Sequence, residues 1–166
     1  MINLELITSQ SALVFKDVRL RALLDSPSAF SSTYAAESQL TDADWITRAF
    51  QWSGKGSITY LAMDAVNPCG IVSGFLDKDD AALAHLASMW VAPTHRRLGI
   101  GRQLVNAIVD WARAQGTRTL QLIVTSNNDT AIKFYECLGF KLTGKTAPYR
   151  NDPVLSDLEM IRSLSA

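Results

Sequence analysis

Val91-Ala92-Pro93-Thr94-His95-Arg96-Arg97-Leu98-Gly99-Ile100-Gly101-Arg102 joins a strand-like apolar segment ending at Val91 to a segment whose apolar residues recur at helical spacing, Ile100, Leu104, Ile108 and Trp111. The first amide N–H groups of a helix have no partner inside it, so an anion lying there gains hydrogen bonds and a favourable dipole. Gly99 and Gly101 remove the Cβ atoms that would hold a pyrophosphate away, and they can take positive φ where the loop turns. Arg96, Arg97 and Arg102 add positive charge. The segment reads as a phosphate-binding loop. A glycine pair at a helix start also serves as a simple packing device, and the flanking segments must decide between the two.

Upstream, Ile2, Leu4 and Leu6 alternate with Asn3 and Glu5 as in a half-buried strand. A helix follows, capped by Ser9 or Ser11, with Val14, Val18 and Ala22 on its apolar side until Ser26-Pro27 stops it. A second helix starts at Thr41, where Asp44 completes a capping-box pattern, and shows Trp45, Ala49 and Trp52 on one face. Segments 58–63, 70–76 and 84–91 read as three strands of an antiparallel meander, divided by Asn67-Pro68 and by Asp77 to Asp80. Downstream, the helix that opens at Gly99 runs to Gly116, and the near-continuous apolar run 120–124 reads as a deeply buried strand, giving a strand–helix–strand crossover. Asn127 or Asn128 caps a short helix carrying Ala131, Phe134, Tyr135 and Leu138, closed by Gly139, and two strands follow near 140–143 and 155–161.

Other phosphate loops fit poorly. A dinucleotide fingerprint needs a third glycine where this chain has Leu104, and a nucleoside-triphosphate loop needs Gly-Lys-Ser/Thr where it has Gly101-Arg102-Gln103. The 166 residues suit one domain, and 16 basic against 16 acidic residues argue against nucleic-acid or membrane-surface partners. Cys69 and Cys137 lack metal-ligand spacing and read as buried small apolar residues of a reducing compartment, and with two histidines no metal site is expected. Without a signal-like or membrane-spanning apolar run, a cytoplasmic location is expected.

Arg96-x-x-Gly99-x-Gly101 resembles the acyl-CoA pyrophosphate motif of the GNAT superfamily of N-acetyltransferases. Asn128-x-x-Ala131-x-x-Phe134-Tyr135-x-x-x-Gly139-Phe140 resembles that family's second signature at the expected distance downstream. Ser88-Met89-Trp90-Val91-Ala92-Pro93 is similar to its fourth strand, and the order of elements agrees from residue 2 to residue 161. The resemblance implies an α/β fold over residues 1–166, with a single mixed, mostly antiparallel sheet of about seven strands and helices on both faces. It implies a sheet whose fourth and fifth strands splay apart to admit the pantetheine arm of acetyl-CoA, paired with the main chain of Met89, Trp90 and Val91. The pyrophosphate would then lie on amides of Arg97, Leu98, Gly99, Ile100, Gly101 and Arg102 beside Arg96, and Asn128 would reach the pantetheine amides.

The chemistry constrains the rest. An alkyl ammonium has a pKa near 10.4, so at neutral pH the free amine lies roughly 4–5 kcal/mol uphill unless a base takes the proton. His85 stands where many family members place a glutamate base, on the strand face expected to carry Ala87, Met89 and Val91. Its alternative is a rim histidine bonded to backbone. Asp77, Asp79 and Asp80 read as a solvated turn. Tyr135 matches the family's general acid, which reprotonates the departing thiolate; its alternative is a core aromatic. Phe30, Ser31, Tyr34, Trp45 and Tyr149 are candidate walls for an acceptor, expected to be a small-molecule or peptide amine, and a homodimer is left open. The competing expectation is a non-catalytic acyl-CoA-binding regulatory module; a protein-interaction domain using the fold alone is a third.

Overall fold

The computed structural model describes residues 1–164. In chain order the elements are β1 (Ile2–Leu6), α1 (Ala12–Asp25), α2 (Tyr34–Glu37), α3 (Asp42–Trp52), β2 (Ser57–Asp64), β3 (Asn67–Leu76), β4 (Leu83–Val91), α4 (Ile100–Ala114), β5 (Thr119–Thr125), α5 (Asp129–Cys137), β6 (Lys141–Pro148) and β7 (Ser156–Ser163). The seven strands form one sheet in the order β1-β2-β3-β4-β5-β7-β6. Neighbours are antiparallel except β4 and β5, which pair in parallel over Leu83–His85 and Thr119–Gln121 only. Beyond His85 the two strands separate, leaving a V-shaped gap between their carboxyl ends.

Local chemistry accounts for most element ends. Thr41 accepts from the Asp44 amide at 3.1 Å while Asp44 accepts from the Thr41 amide at 2.9 Å, the expected capping box. At the first helix the cap is Thr8, which with Ser11 closes a 3-10 turn ahead of α1, while neither Ser9 nor Ser11 caps α1 itself. The face of α1 is also rotated from the expected one: Phe15, Val18 and Ala22 are buried but Val14 is 39 % exposed. The β2–β3 hairpin turns at Ala65-Val66, with Ala65 at φ 54°, so Asn67-Pro68 opens β3 instead of forming the turn. In β5, Leu120, Leu122 and Val124 are buried on one face, while Ile123 on the other is 50 % exposed.

A β-bulge in β4 changes which side chains share a face. Ala87 pairs with Ser73 and Trp90 with Ile71, so Ser88 and Met89 together oppose Val72, and Ser88 sits at φ 57°. An extra residue inverts the alternation beyond it. His85 and Ala87 therefore share a face with Trp90, and Met89 and Val91 turn to the opposite face, contrary to the strict alternation expected from sequence. Met89 accordingly faces α4, its Cε lying 3.1 Å from where a Cβ on Gly101 would stand. Gly70 and Gly74 of β3 also face α4, where an added Cβ would meet Leu104 and Trp111. On the other side of the sheet, α1 and α3 pack Phe15 against Trp45 and Trp52, with ring centroids 5.4 Å and 5.3 Å apart.

The bulge is held from that side by buried charge. Arg19 donates to both Glu37 carboxylate oxygens at 3.0 Å and to Ser88 Oγ at 2.6 Å, and Arg48 also pairs with Glu37. Arg19 lies over the Phe30 and Trp52 rings at 4.8 Å and 5.2 Å. Burial alone would raise the Glu37 carboxyl, but Arg19 and Arg48 override it and hold Glu37 below its ordinary value of 4.5. The carboxylate's stabilisation is thus complete above about pH 4.5 and is lost as the pH falls through the lower folded-state value. Removing Glu37 strands two cations under an aromatic lid; Glu37→Ala is expected to lower the unfolding free energy by about 3–5 kcal/mol, read by urea titration at pH 7.

Candidate active site in the gap of the sheet

The gap between β4 and β5 opens into a cleft of about 1120 Å³ that runs through the sheet from the α4 side to the α1 side. On the α4 side, α4 begins after Arg97 and Gly99, both left-handed at φ 64° and φ 80°. The first helical bond is Gln103 N–H to Gly99 C=O at 3.1 Å, and among the described residues no amide from Arg97 to Arg102 donates to another group. Six main-chain donors are thus left unpaired at a helix N-terminus, where a Cβ on Gly101 would come within 3.1 Å of Met89 Cε and Phe134 Cζ. Both an anion and a close backbone approach fit that shape.

The flanking residues divide by role. Arg97 and Arg102 line the cleft and have no ion-pair partner among the described residues. Arg96 also lines it, but its guanidinium is engaged: Nη2 donates to Asp25 Oδ2 at 2.6 Å and Nε to the Val91 carbonyl at 3.0 Å. Asp25 also accepts from Trp90 Nε1 at 2.9 Å, and although partial burial opposes ionisation, these bonds and that of Ser26 hold its carboxyl below the usual range. Arg96 therefore pins the end of β4 more than it enlarges the anion site. Leu98 points outward, 64 % exposed, and Ile100 is buried, so both bring amides and not side chains. Met89, Trp90 and Val91 line the unpaired edge of β4. Asn128 lines the cleft too and caps α5, its Oδ1 accepting from the Ala131 amide at 3.1 Å.

Tyr135 projects into the cleft from α5, between Phe134 and Phe140 at 5.1 Å and 5.6 Å. Burial pushes its phenol well above the ordinary value of 10.0. On the α1 side, His85 Nε2 donates to Asp77 Oδ1 at 2.7 Å and the ring stacks on Phe75 at 4.8 Å. That bond from His85, and the amides of Asp79 and Asp80, hold the Asp77 carboxyl low. With Nε2 engaged by Asp77, Nδ1 is the ring nitrogen left to accept a proton. Asp77 is thus more than a solvated turn residue: Phe75 pairs with His85 across the β3–β4 hairpin, which brings Asp77 diagonally onto His85. Assuming symmetric pairing about the turn would have found this.

Of the candidate acceptor walls, Phe30, Ser31 and Tyr149 line the cleft. Tyr149 ties two loops over it, donating to the carbonyls of Phe30 at 2.7 Å and Pro27 at 3.1 Å. Trp45 is fully buried against Phe15, and Tyr34 lines a separate shallow depression, so neither is a wall. Cys69 is buried as expected, but Cys137 is exposed. No group of three or more metal-ligating side chains occurs among the described residues, and no helix among them is long and apolar enough to cross a membrane. Among the lining residues that the sequence did not single out are Thr125 at the end of β5 and Asp157 on β7.

The sequence model of the acetyltransferase (GNAT) family matches residues 21–140. Human N-acetyltransferase 8 is 33 % identical over 110 residues, 64 % of this chain and 48 % of the relative. The [ribosomal protein bS18]-alanine N-acetyltransferase of Escherichia coli K12 is 40 % identical over 62 residues, 37 % of this chain and 40 % of the relative. The chain thus spans half or less of the length of these curated relatives. A phosphinothricin acetyltransferase from Sinorhizobium meliloti, solved in complex with AcCoA, superposes with a TM-score of 0.80 at 20 % identity, over 99 % of this chain and 89 % of that one.

Proposed function

The chain belongs to the acetyltransferase (GNAT) family, and on that premise we propose that it transfers the acetyl group of acetyl-CoA to a primary amine by direct attack. The observation that carries this reading is the set of unpaired amides at residues 97–102, opening onto the unpaired edge of β4 in the same cleft as Tyr135. A diphosphate on those amides, flanked by Arg97 and Arg102, leaves the pantetheine arm to run down the gap past Met89, Trp90 and Val91, with Asn128 opposite.

His85 takes one proton from the acceptor ammonium, through water, since it lies three residues deeper than the bulge, about 10 Å along the strand. The freed nitrogen attacks the thioester carbon; the C–N bond forms as the C–S bond breaks. Tyr135 protonates the leaving sulfur and is restored by the second proton lost from nitrogen, so one proton is released in all. Against a thiol near 8.5, a phenol near 10 donates at a cost of about 2 kcal/mol. The burial that raises Tyr135 also raises a sulfur beside it, so the difference between the two governs the transfer.

The experiment is thiol release from acetyl-CoA across a panel of primary amines. Amine-dependent release with matching N-acetyl product is expected. Tight coenzyme binding without release to any amine would favour the non-catalytic acyl-CoA-binding module.

A further inference from the structure

Two polar groups in the cleft have no part in the scheme so far. Thr125 is 4 % exposed, its hydroxyl has no hydrogen-bond partner among the described residues, and it lines the cleft. A buried hydroxyl left unpaired costs about 1–3 kcal/mol, so interiors rarely keep one without use. Directly across the β5–β7 ladder it pairs with Asp157, and cross-strand partners share a face. Asp157 lines the cleft half-buried, without a hydrogen bond or ion pair among the described residues, and burial raises its carboxyl. The cations of the cleft do not serve it: Arg19 is engaged with Glu37, Arg96 with Asp25, and Arg97 and Arg102 stand at the loop.

The height of this pair in the gap matters. His85 pairs with Gln121 in the parallel section, and the same register carried up the strands sets the β4 bulge level with Val124 and Thr125. Gln121, Ile123 and Thr125 alternate onto the face of His85, the side away from α4. Asp157 and Thr125 thus stand across the gap from the bulge, on the face opposite the anion loop. On the proposed reading, on which this inference rests, the acetyl carbonyl emerges at that height.

We propose that Asp157 and Thr125 form the docking subsite for the acceptor's reacting ammonium group, and that the acceptor is a protonated primary amine with no carboxylate on the carbon bearing it. The Asp157 carboxylate and the Thr125 hydroxyl oxygen each accept one N–H of the ammonium. A free α-amino acid would bring its own carboxylate against Asp157, and like charges there repel without bulk water between them. Acetylation converts the cation to a neutral amide, which ends the attraction and lets the product leave. Asp157 here confers specificity, and the proton goes to His85.

The test compares alanine amide, leucine amide and phenylalanine amide with the free amino acids, in wild type, Asp157→Asn and Thr125→Val. Wild type should favour each amide at least about tenfold in kcat/KM. Asp157→Asn should raise KM for the amides about tenfold or more with kcat nearly unchanged, and should erase the preference over the free acids. Thr125→Val should raise KM more modestly. Unchanged KM in Asp157→Asn, or a fall in kcat at constant KM, overturns the subsite while leaving acetyl transfer intact. Calorimetric binding of the amides to the CoA-saturated protein supplies the other arm: binding that depends on Asp157 without acetylation supports the subsite and removes the transfer reading, and neither binding nor acetylation overturns both.

Discussion

Replacing Tyr135 by phenylalanine lowers kcat by a factor of about 100 to 10,000 while leaving acetyl-CoA affinity unchanged. The substitution deletes one oxygen. The ring keeps its edge contacts with Phe134 and Phe140, and the Tyr135 carbonyl still accepts from the amides of Leu138 and Phe140 at 3.0 Å. No side-chain hydrogen bond is lost, because the phenol makes none with the described residues. The loss is confined to a proton delivered as the C–S bond breaks, which is an interaction of the transition state and so appears in kcat. Thiol-release kinetics with a saturating amine, beside calorimetry with acetyl-CoA, separate the two quantities. An unaltered kcat would leave Tyr135 as a core aromatic only.

Reversing both free cations of the loop, Arg97→Glu with Arg102→Glu, weakens acetyl-CoA binding about 100-fold or more. Each charge-assisted hydrogen bond contributes roughly 1.5–3 kcal/mol, and each new carboxylate adds repulsion against the diphosphate. Both residues are exposed or nearly so and unpaired, so the folded state tolerates the change. Arg96→Ala should act differently. It releases Asp25 and the Val91 carbonyl, loosening the end of β4, and it leaves the amide donors in place. Titrations with acetyl-CoA at low and high salt distinguish the two, since loss of the loop cations also flattens the salt dependence of wild type.

What the sequence made legible is what short-range chemistry determines. The Thr41 and Asp44 pair caps α3 through bonds three residues apart, Gly99 takes the left-handed turn before α4, and Asn128 caps α5, all from contacts within one turn. The splayed parallel pair was implied only by the family resemblance that the motifs at residues 96–101 and 128–140 carry. The β4 bulge escaped because it is a property of register with β3: nothing in Ala87-Ser88-Met89 signals that two residues will oppose Val72, and one extra residue transferred Met89 and Val91 to the other face. Ile123 looked buried inside an apolar run because composition cannot tell that its position opens onto the cleft. Asp157 was invisible for a related reason. Its place opposite Thr125 comes from β7 entering between β5 and β6, a pairing across more than thirty residues of chain. Arg96 matched its motif, yet its side chain answers to Asp25, seventy-one residues earlier.

The account rests on main-chain amides at the start of α4 receiving a diphosphate. Amide hydrogen exchange with and without saturating acetyl-CoA tests this residue by residue. The prediction is that N–H groups of residues 97–102, unbonded among the described residues, become protected when the coenzyme binds, by a larger factor than any other loop. Coenzyme binding confirmed by calorimetry, with exchange at residues 97–102 unchanged, would contradict it.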